Sequence, residues 1–141
     1  MPSLPPFEIL EHTADIGLRA RGASLEALFE NAAAAMLEIA AERETVAERE
    51  TLPLAAEAGD REALLVNWLQ EVLWLVDGEG WLPRRVTVAE ISETRVAGAA
   101  HGESRDPARH RLRIIVKAVT FHQLSVRNED GLWVAEVYLD I

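Results

Sequence analysis

The sequence predicts an α+β fold in which two helices pack on a mostly antiparallel β-sheet, within a single domain that spans residues 1–141. Two segments carry apolar residues at helical spacing, and the others are short runs rich in Val, Ile and Leu between turn residues. With 49% apolar positions, a chain of this length can bury one core. The order of strand, helix, strand, helix and then several strands is typical of helices that cover one side of an antiparallel sheet.

Both predicted helices have recognisable ends. The first begins at Ser24, whose hydroxyl can cap free backbone N–H groups, and it ends near Ala41. The second begins after the cap residue Asp60 and stops at Asp77-Gly78. Its wide apolar face predicts a central position, and Trp68 and Trp74 are interpreted as core or helix contacts rather than as platforms for stacked bases.

Eight strands are predicted, at residues 7–10, 16–21, 51–56, 85–92, 95–101, 111–118, 121–126 and 132–139. In the sixth, Leu112, Ile114 and Val116 alternate with basic residues, which indicates a sheet with one buried face. A hairpin turn is predicted at residues 128–131, and an exposed hairpin loop at residues 97–109, where glycines, Ser, Asp and Pro cluster. The second half is therefore expected to be an antiparallel meander.

Charge and cysteine content restrict the function. The chain has 24 acidic and 14 basic residues, a net charge of −10, which argues against direct nucleic-acid binding. If RNA is involved, a basic partner is expected to hold it. The absence of cysteine excludes disulfides, thiolate zinc sites and thiol nucleophiles. Without a secretion signal or a spanning apolar segment, the protein is expected to be cytoplasmic, with no membrane contact.

Carboxylates near the two ends of the sequence could form a metal site. Residues 11–15 place His12 and Asp15 in a loop between two predicted strands, where functional residues are common. At the other end, Asp140 stands beside the main-chain carboxylate expected at Ile141. Together, these three carboxylates would suit Ca²⁺, Mg²⁺ or Mn²⁺. The alternatives are a local turn around Asp15, a packed His12 and a frayed, solvated terminus.

Lys117 is the one lysine among the 14 basic residues. A compact ammonium is not equivalent to the guanidinium fork of the arginines used elsewhere in the chain. Two interpretations of Lys117 therefore remain open: its side chain makes a specific functional contact, or it simply points into solvent. His122 is interpreted as a surface residue. No nucleophile elbow or phosphate-binding glycine loop is present, so the inventory does not indicate a self-contained enzyme.

Four blocks of this chain resemble the archease family. They are Glu11 to Gly17, Leu64 to Leu73, His110 with the stretch Lys117 to His122, and the closing Leu139-Asp140-Ile141. The departures are Phe121, where the family often has Tyr, and Asn67, where Asp is common. Neither departure lies in the expected metal group.

The resemblance implies a small α+β protein that is not itself an enzyme but activates an RtcB-type RNA ligase in tRNA splicing and RNA repair. Archeases promote guanylylation of the ligase by GTP and metal, and so permit multiple turnovers. By position, Asp15, Asp140 and the Ile141 carboxylate match the metal group, with calcium the ion to expect, and Lys117 matches the adjacent basic residue. His12 lies in the matched motif and is a candidate for phosphate contact.

Two alternatives to this function come from other classes of protein. One is a metal-dependent phosphoester hydrolase that acts alone, with the same carboxylates holding the ion and His12 or His122 as acid or base. The other is a chaperone-like protein-binding module whose acidic tip is only a docking surface.

Overall fold

Two antiparallel sheets and two helices make up the fold in the computed structural model, which describes residues 4–11 and 15–141, with only the backbone of Glu11. The helices are α1 (Leu25–Ala40) and α2 (Arg61–Asp77). The strands are β1 (Phe7–Glu11), β2 (Asp15–Gly22), β3 (Glu50–Glu57), β4 (Trp81–Ile91), β5 (Arg95–Ser104), β6 (Ala118–Val119), β7 (Ser125–Glu129) and β8 (Leu132–Asp140). An α+β architecture is therefore confirmed, with its strands divided between two sheets.

The first sheet has the order β1-β2-β8-β6, and β7 also pairs with β8. β8 pairs with β2 along one edge, and its other edge is shared by β6 and β7. The predicted turn between β7 and β8 is confirmed. Asp130 and Gly131 both have positive φ there, and the Gly131 N–H donates to Asn128 Oδ1 at 2.9 Å.

The second sheet has the order β3-β5-β4, and β4 contains two irregularities. They lie between Pro83 and Arg85 and between Val88 and Glu90. Each irregularity lies next to a pairing with a glycine of β5, since Pro83 is opposite Gly102 and Val88 is opposite Gly98. At these two positions β5 has no side chain, so its backbone can approach that of β4 more closely than a larger residue would allow.

Both helix predictions are confirmed, including the caps. Ser24 Oγ accepts from the Ala27 N–H, and Asp60 Oδ1 accepts from the Ala63 N–H. Trp68 is fully buried and its indole N–H donates to the Phe29 carbonyl at 3.3 Å. Trp74, in contrast, is 59% exposed and is not a core residue, but its ring lies against the end of its own helix at Gly78. Neither helix has the length and apolar character that crossing a membrane requires.

The predicted strand at residues 111–118 is wrong. Leu112 forms only an isolated bridge with Ala41, and regular pairing begins at Ala118. The backbone N–H groups of Arg113 and Ile114 donate to the carbonyls of Ala40 and Ile39, at the end of α1. Because the helix end supplies the hydrogen-bond partners, the segment lies across α1 instead of in a sheet, and its expected alternation of buried and exposed residues is lost.

Three further expectations for the second half are corrected. The strand predicted at residues 95–101 is confirmed and continues to Ser104 as β5, the middle strand of the second sheet, so the exposed loop expected from residue 97 begins only after Ser104. The single meander is replaced by two sheets, because β5 pairs with both β3 and β4, while β7 and β8 belong to the first sheet. Residues 121–124 form a turn with Gln123 at positive φ, so β7 starts only at Ser125.

Candidate functional site

Asp15 on β2 and Asp140 on β8 lie directly opposite each other on neighbouring strands of the first sheet. They are the paired residues at the end of the β2 and β8 ladder, followed by Ile16 opposite Leu139. Side chains directly opposite in an antiparallel pair lie on the same face, with Cβ atoms about 4.5–5.5 Å apart. Ile16 and Leu139 are buried in the core, so the two carboxylates lie on the opposite face of the sheet. Asp15 is half-buried and Asp140 is exposed.

Lys117 lies beside Asp140 through its main chain. The Lys117 N–H donates to the Asp140 carbonyl at 2.8 Å, and the next residue, Ala118, is the register partner of Asp140. The Lys117 side chain is exposed. Ile141 is half-buried, with its side chain packed against the hydrophobic core. Four of the predicted site residues therefore lie together at one end of the first sheet, although 102 positions separate Lys117 from Asp15 in the numbering.

Two polar residues that the sequence analysis did not single out support this end of the sheet. Gln70, on α2, accepts the Val119 N–H through Oε1 at 2.6 Å, which ties the helix to β6. Thr120 donates to the Tyr138 carbonyl through both its N–H, at 3.0 Å, and its hydroxyl, at 2.9 Å. Thr120 stands within the family-like block 117–122 and Gln70 within the block 64–73, but the residue types in these blocks do not predict the two contacts.

Tyr138 covers the same face of the sheet, next to the carboxylates. It is paired with Gly17, and a Cβ at Gly17 would lie 2.8 Å from Tyr138 Cε1. Gly17 therefore leaves the space that the phenol ring occupies. The imidazole of His122 meets that ring edge-on, with centroids 6.0 Å apart. His122 is exposed, as expected, and its ring packs on Tyr138 rather than on the carboxylate pair.

The remaining candidate residue, His12, lies outside the described residues. Within residues 4–11 and 15–141, no three His, Asp or Glu side chains are grouped so that they could hold a metal ion. The described side-chain donors at the site are thus two carboxylates, and a third oxygen group would have to come from the main chain at Ile141.

The chemistry of these donors fits a hard divalent cation. Carboxylate oxygens are the ligands that Ca²⁺ and Mg²⁺ prefer, and the chain has no cysteine thiolate that would favour a softer metal. Two like charges directly opposite in a sheet destabilise it, and a cation between them would remove that repulsion. Ca²⁺ takes about six to eight oxygen ligands, so water or a partner would have to complete its coordination.

Known proteins resemble the chain along nearly all of its length. A model of the Archease protein family matches residues 7–141. A protein named "Protein archease" from Methanopyrus kandleri is 37% identical over 139 residues, covering 96% of this chain and 99% of the relative. The solution structure of Methanobacterium thermoautotrophicum protein 1598 has 38% identity and a TM-score of 0.75, covering 96% of this chain and 99% of the other.

A crystal structure of a Thermotoga maritima archease, described as a possible chaperone, has a TM-score of 0.65 and 22% identity, covering 100% of this chain and 98% of the other. At that identity it supports the fold alone. The family match and the 37% identical relative carry the assignment of family. This chain belongs to the archease family.

Proposed function

We propose that this archease is an activating partner of an RtcB-type RNA ligase, in tRNA splicing and RNA repair, and has no catalytic activity of its own. It promotes the metal- and GTP-dependent guanylylation of the ligase and thereby its multiple turnover. The observation that carries the proposal is the register pair of Asp15 and Asp140, with Lys117 joined to Asp140 through the main chain. These groups lie together at one end of the first sheet, and the next residue pair of the ladder, Ile16 and Leu139, is buried in the core.

The proposed metal ligands are the carboxylates of Asp15 and Asp140 and the main-chain carboxylate expected at Ile141, with Ca²⁺ as the ion and Mg²⁺ or Mn²⁺ as alternatives. The metal would compensate charge on the triphosphate as pyrophosphate leaves. β2 and β8 hold the two aspartates at a set separation, because each lies in a ladder that continues into the core. The site therefore needs little reorganisation to bind an ion.

Lys117 is proposed to contact a phosphate oxygen of the nucleotide held by the ligase. Its ammonium has three donors on a flexible, exposed stem, while its backbone stays fixed to Asp140. His12 is proposed as a second phosphate contact, on the basis of its place in the motif.

The first test measures metal binding without the ligase. Thermal unfolding of the wild type is expected to shift upward when Ca²⁺ is added after chelation, because an ion that binds only the folded state stabilises it. Asp140→Asn is expected to lose that shift and, without metal, to gain about 0.2–1 kcal/mol from relief of repulsion. Asp130→Asn, in the β7–β8 turn, is the matched control and should keep the shift. An undiminished Ca²⁺ shift in Asp140→Asn would exclude this ligand set.

The second test is single-turnover guanylylation of an RtcB-type ligase. Asp15→Asn and Lys117→Ala are each expected to reduce the stimulation by about tenfold or more, which corresponds to about 1.4 kcal/mol of lost stabilisation. Arg95→Ala, whose side chain is 62% exposed and lies at the start of β5, should stimulate normally. Full stimulation by both site variants, with normal folding and ligase binding, would favour a chaperone-like binding role. Turnover of a phosphodiester without ligase would favour the hydrolase alternative.

A further inference from the structure

Exposed large apolar side chains are concentrated around Lys117. In the part of the chain that the structure describes, the large apolar residues at the surface are Leu4, Ile9, Trp74, Leu112, Ile114, Ile115 and Phe121. Four of these seven lie within residues 112–121, the stretch that also carries the exposed Lys117. Monomeric soluble proteins seldom leave neighbouring apolar residues uncovered, and such patches commonly mark interaction sites. We refer to residues 112–121 as the Lys117 segment.

The three other exposed residues do not belong to this concentration. Leu4 precedes β1 and Ile9 lies in it, and β1 and β6 are at opposite ends of the strand order β1-β2-β8-β6. Trp74 is on α2, where its ring lies against the end of its own helix at Gly78. The clustering of exposed apolar residues is therefore a local property of the Lys117 segment.

The backbone of the Lys117 segment is held in place, although its side chains are exposed. Before Lys117, the N–H groups of Arg113 and Ile114 donate to carbonyls at the end of α1. After it, the Leu124 N–H donates to the Phe121 carbonyl at 3.3 Å, which closes the turn that follows β6. A surface that is already ordered loses little conformational freedom when a partner binds. Its apolar side chains are thus presented from a fixed backbone.

A cleft of about 260 Å³ lies between the Lys117 segment and α2. The apolar side chains that line it are Leu73, Val76, Leu112, Ile114, Ile115 and Val116. The two charged residues of the lining, Asp77 and Arg105, have opposite sign, so they do not select a charged occupant. The cleft therefore extends the apolar surface of the Lys117 segment onto the helix.

We propose that the Lys117 segment and this cleft form the face that docks on the RtcB-type ligase, against an apolar patch beside the ligase's nucleotide site. This inference rests on the proposed function, in which Lys117 contacts a phosphate oxygen held by the ligase. Ile115 is two residues before Lys117 and Phe121 is four residues after it. A ligase that Lys117 reaches would therefore cover both side chains, which are 73% and 61% exposed.

The two sets of residues would then have separate tasks. Asp15, Asp140 and Lys117 act on the nucleotide, while Ile115 and Phe121 supply affinity for the ligase. Interface cores are enriched in aromatic residues and depleted of charged ones, and a few buried anchors carry most of the binding energy. A mutation in one set is therefore expected to leave the task of the other set intact.

Other occupants fit this face less well. A second copy of the chain, packed by two-fold symmetry, would bring Lys117 towards its own copy and cover the candidate site. An anionic membrane would accept the apolar side chains, but the net charge of −10 opposes its approach.

Titration of an RtcB-type ligase with the whole protein separates docking from activation. Ile115→Ser and Phe121→Ser are each expected to raise the Kd for the ligase by at least about tenfold, through loss of an apolar anchor. Guanylylation at saturating concentration should stay near that of the wild type. Phe121→Tyr keeps the ring and should bind normally, as should the control Ile9→Ser on β1. Lys117→Ala is expected to show the reverse, with near-normal binding and reduced stimulation.

The outcomes distinguish failure of the docking face from failure of the proposed function. If the wild type binds and stimulates the ligase but Ile115→Ser and Phe121→Ser bind equally well, only the docking face is overturned. If the wild type neither binds nor stimulates the ligase, the proposed function fails and the docking face fails with it. Dimerisation that is lost in Ile115→Ser, or binding to phosphatidylserine vesicles that is lost in Phe121→Ser, would overturn the proposal in favour of that occupant if ligase binding is unchanged. Thermal unfolding of each variant confirms that it is folded.

Discussion

At the scale of single residues, Glu103 shows how this acidic chain holds a charge in its interior. Glu103 is 3% exposed. Its carboxylate accepts two hydrogen bonds from the Arg109 guanidinium, at 2.8 and 3.2 Å, and one from the Ala47 N–H at 2.7 Å. His110 Nδ1 accepts the Asp106 N–H, so its Nε2 carries the proton donated to Glu103 at 2.9 Å. Arg109 above all, then Ala47 and His110, hold the Glu103 pKa far below its usual range.

This lowered pKa predicts a dependence of stability on pH. The contribution of Glu103 is fully present above the ordinary glutamate pKa, near 4.5, and is lost as the pH falls towards the lower pKa of the folded protein. Glu103→Gln is expected to unfold more easily at neutral pH, because its donors lose a charged acceptor, and to lose less stability on acidification. Urea unfolding between about pH 7 and about pH 3 measures both effects.

Glu57→Gln is the control for that experiment, because Glu57 is an exposed carboxylate with a surface ion pair to Arg95. Its stability should follow the wild-type pH profile. A Glu103→Gln profile parallel to that of the wild type would contradict the assigned role of Glu103.

The residues of the candidate site differ in how far the sequence predicted them. Asp15, Asp140 and Lys117 stand in short blocks whose residue types already indicate chemistry, and the β2–β8 register brings them together. Glu103 was instead assigned to an exposed loop. Its contacts are with Arg109, six residues further along the chain, and with the Ala47 N–H, 56 residues away, and no local pattern predicts the contact with Ala47.

At the scale of elements, the close approach of β4 and β5 depends on two glycines. A Cβ at Gly98 would lie 1.9 Å from the Thr87 carbonyl oxygen, and one at Gly102 would lie 1.9 Å from that of Leu82. Both neighbours are backbone atoms, which cannot move aside as a flexible side chain can. The pairing at the two irregularities of β4 therefore requires residues without a Cβ.

Gly98→Ala is accordingly expected to destabilise the protein by about 1–3 kcal/mol, the usual cost of overpacking. Gly59→Ala is the matched control, since no atom lies within 4 Å of a Cβ there and the substitution should change stability by less than about 1 kcal/mol. Urea unfolding measures both. Equal stability of Gly98→Ala and the wild type would show that β4 and β5 can move apart at this point without loss of stability.

The elements also explain which parts of the fold were predictable. α1 and α2 were found because caps and apolar periodicity are local signals. The segment 111–117 has the alternation of a strand, but the N–H groups of Arg113 and Ile114 donate to carbonyls at the end of α1. β5 was predicted at residues 95–101, but the loop-like composition from residue 97 onwards concealed its extension to Ser104. Strand pairing is decided by distant residues, so alternation and composition misled the prediction for the segment 111–117 and for the end of β5.

At the scale of the whole molecule, the net charge of −10 bears on how a partner is found. If the proposed ligase partner presents a basic, RNA-binding surface, long-range attraction should raise the association rate. Raising the salt concentration from about 50 mM to about 500 mM is expected to slow association by about tenfold or more and to change dissociation much less. Stopped-flow binding measures both rates. An association rate independent of salt would contradict electrostatic attraction.

The position of β8 has a consequence for the synthesis of the protein. β8 follows every other described element in the chain, yet it lies between β2 on one edge and β6 and β7 on the other. A nascent chain can form the helices and the second sheet early, but the edge of β2 that pairs with β8 stays unpaired until β8 has been synthesised. Because such distant pairing slows folding, the first sheet is where a growing chain would be most exposed to aggregation.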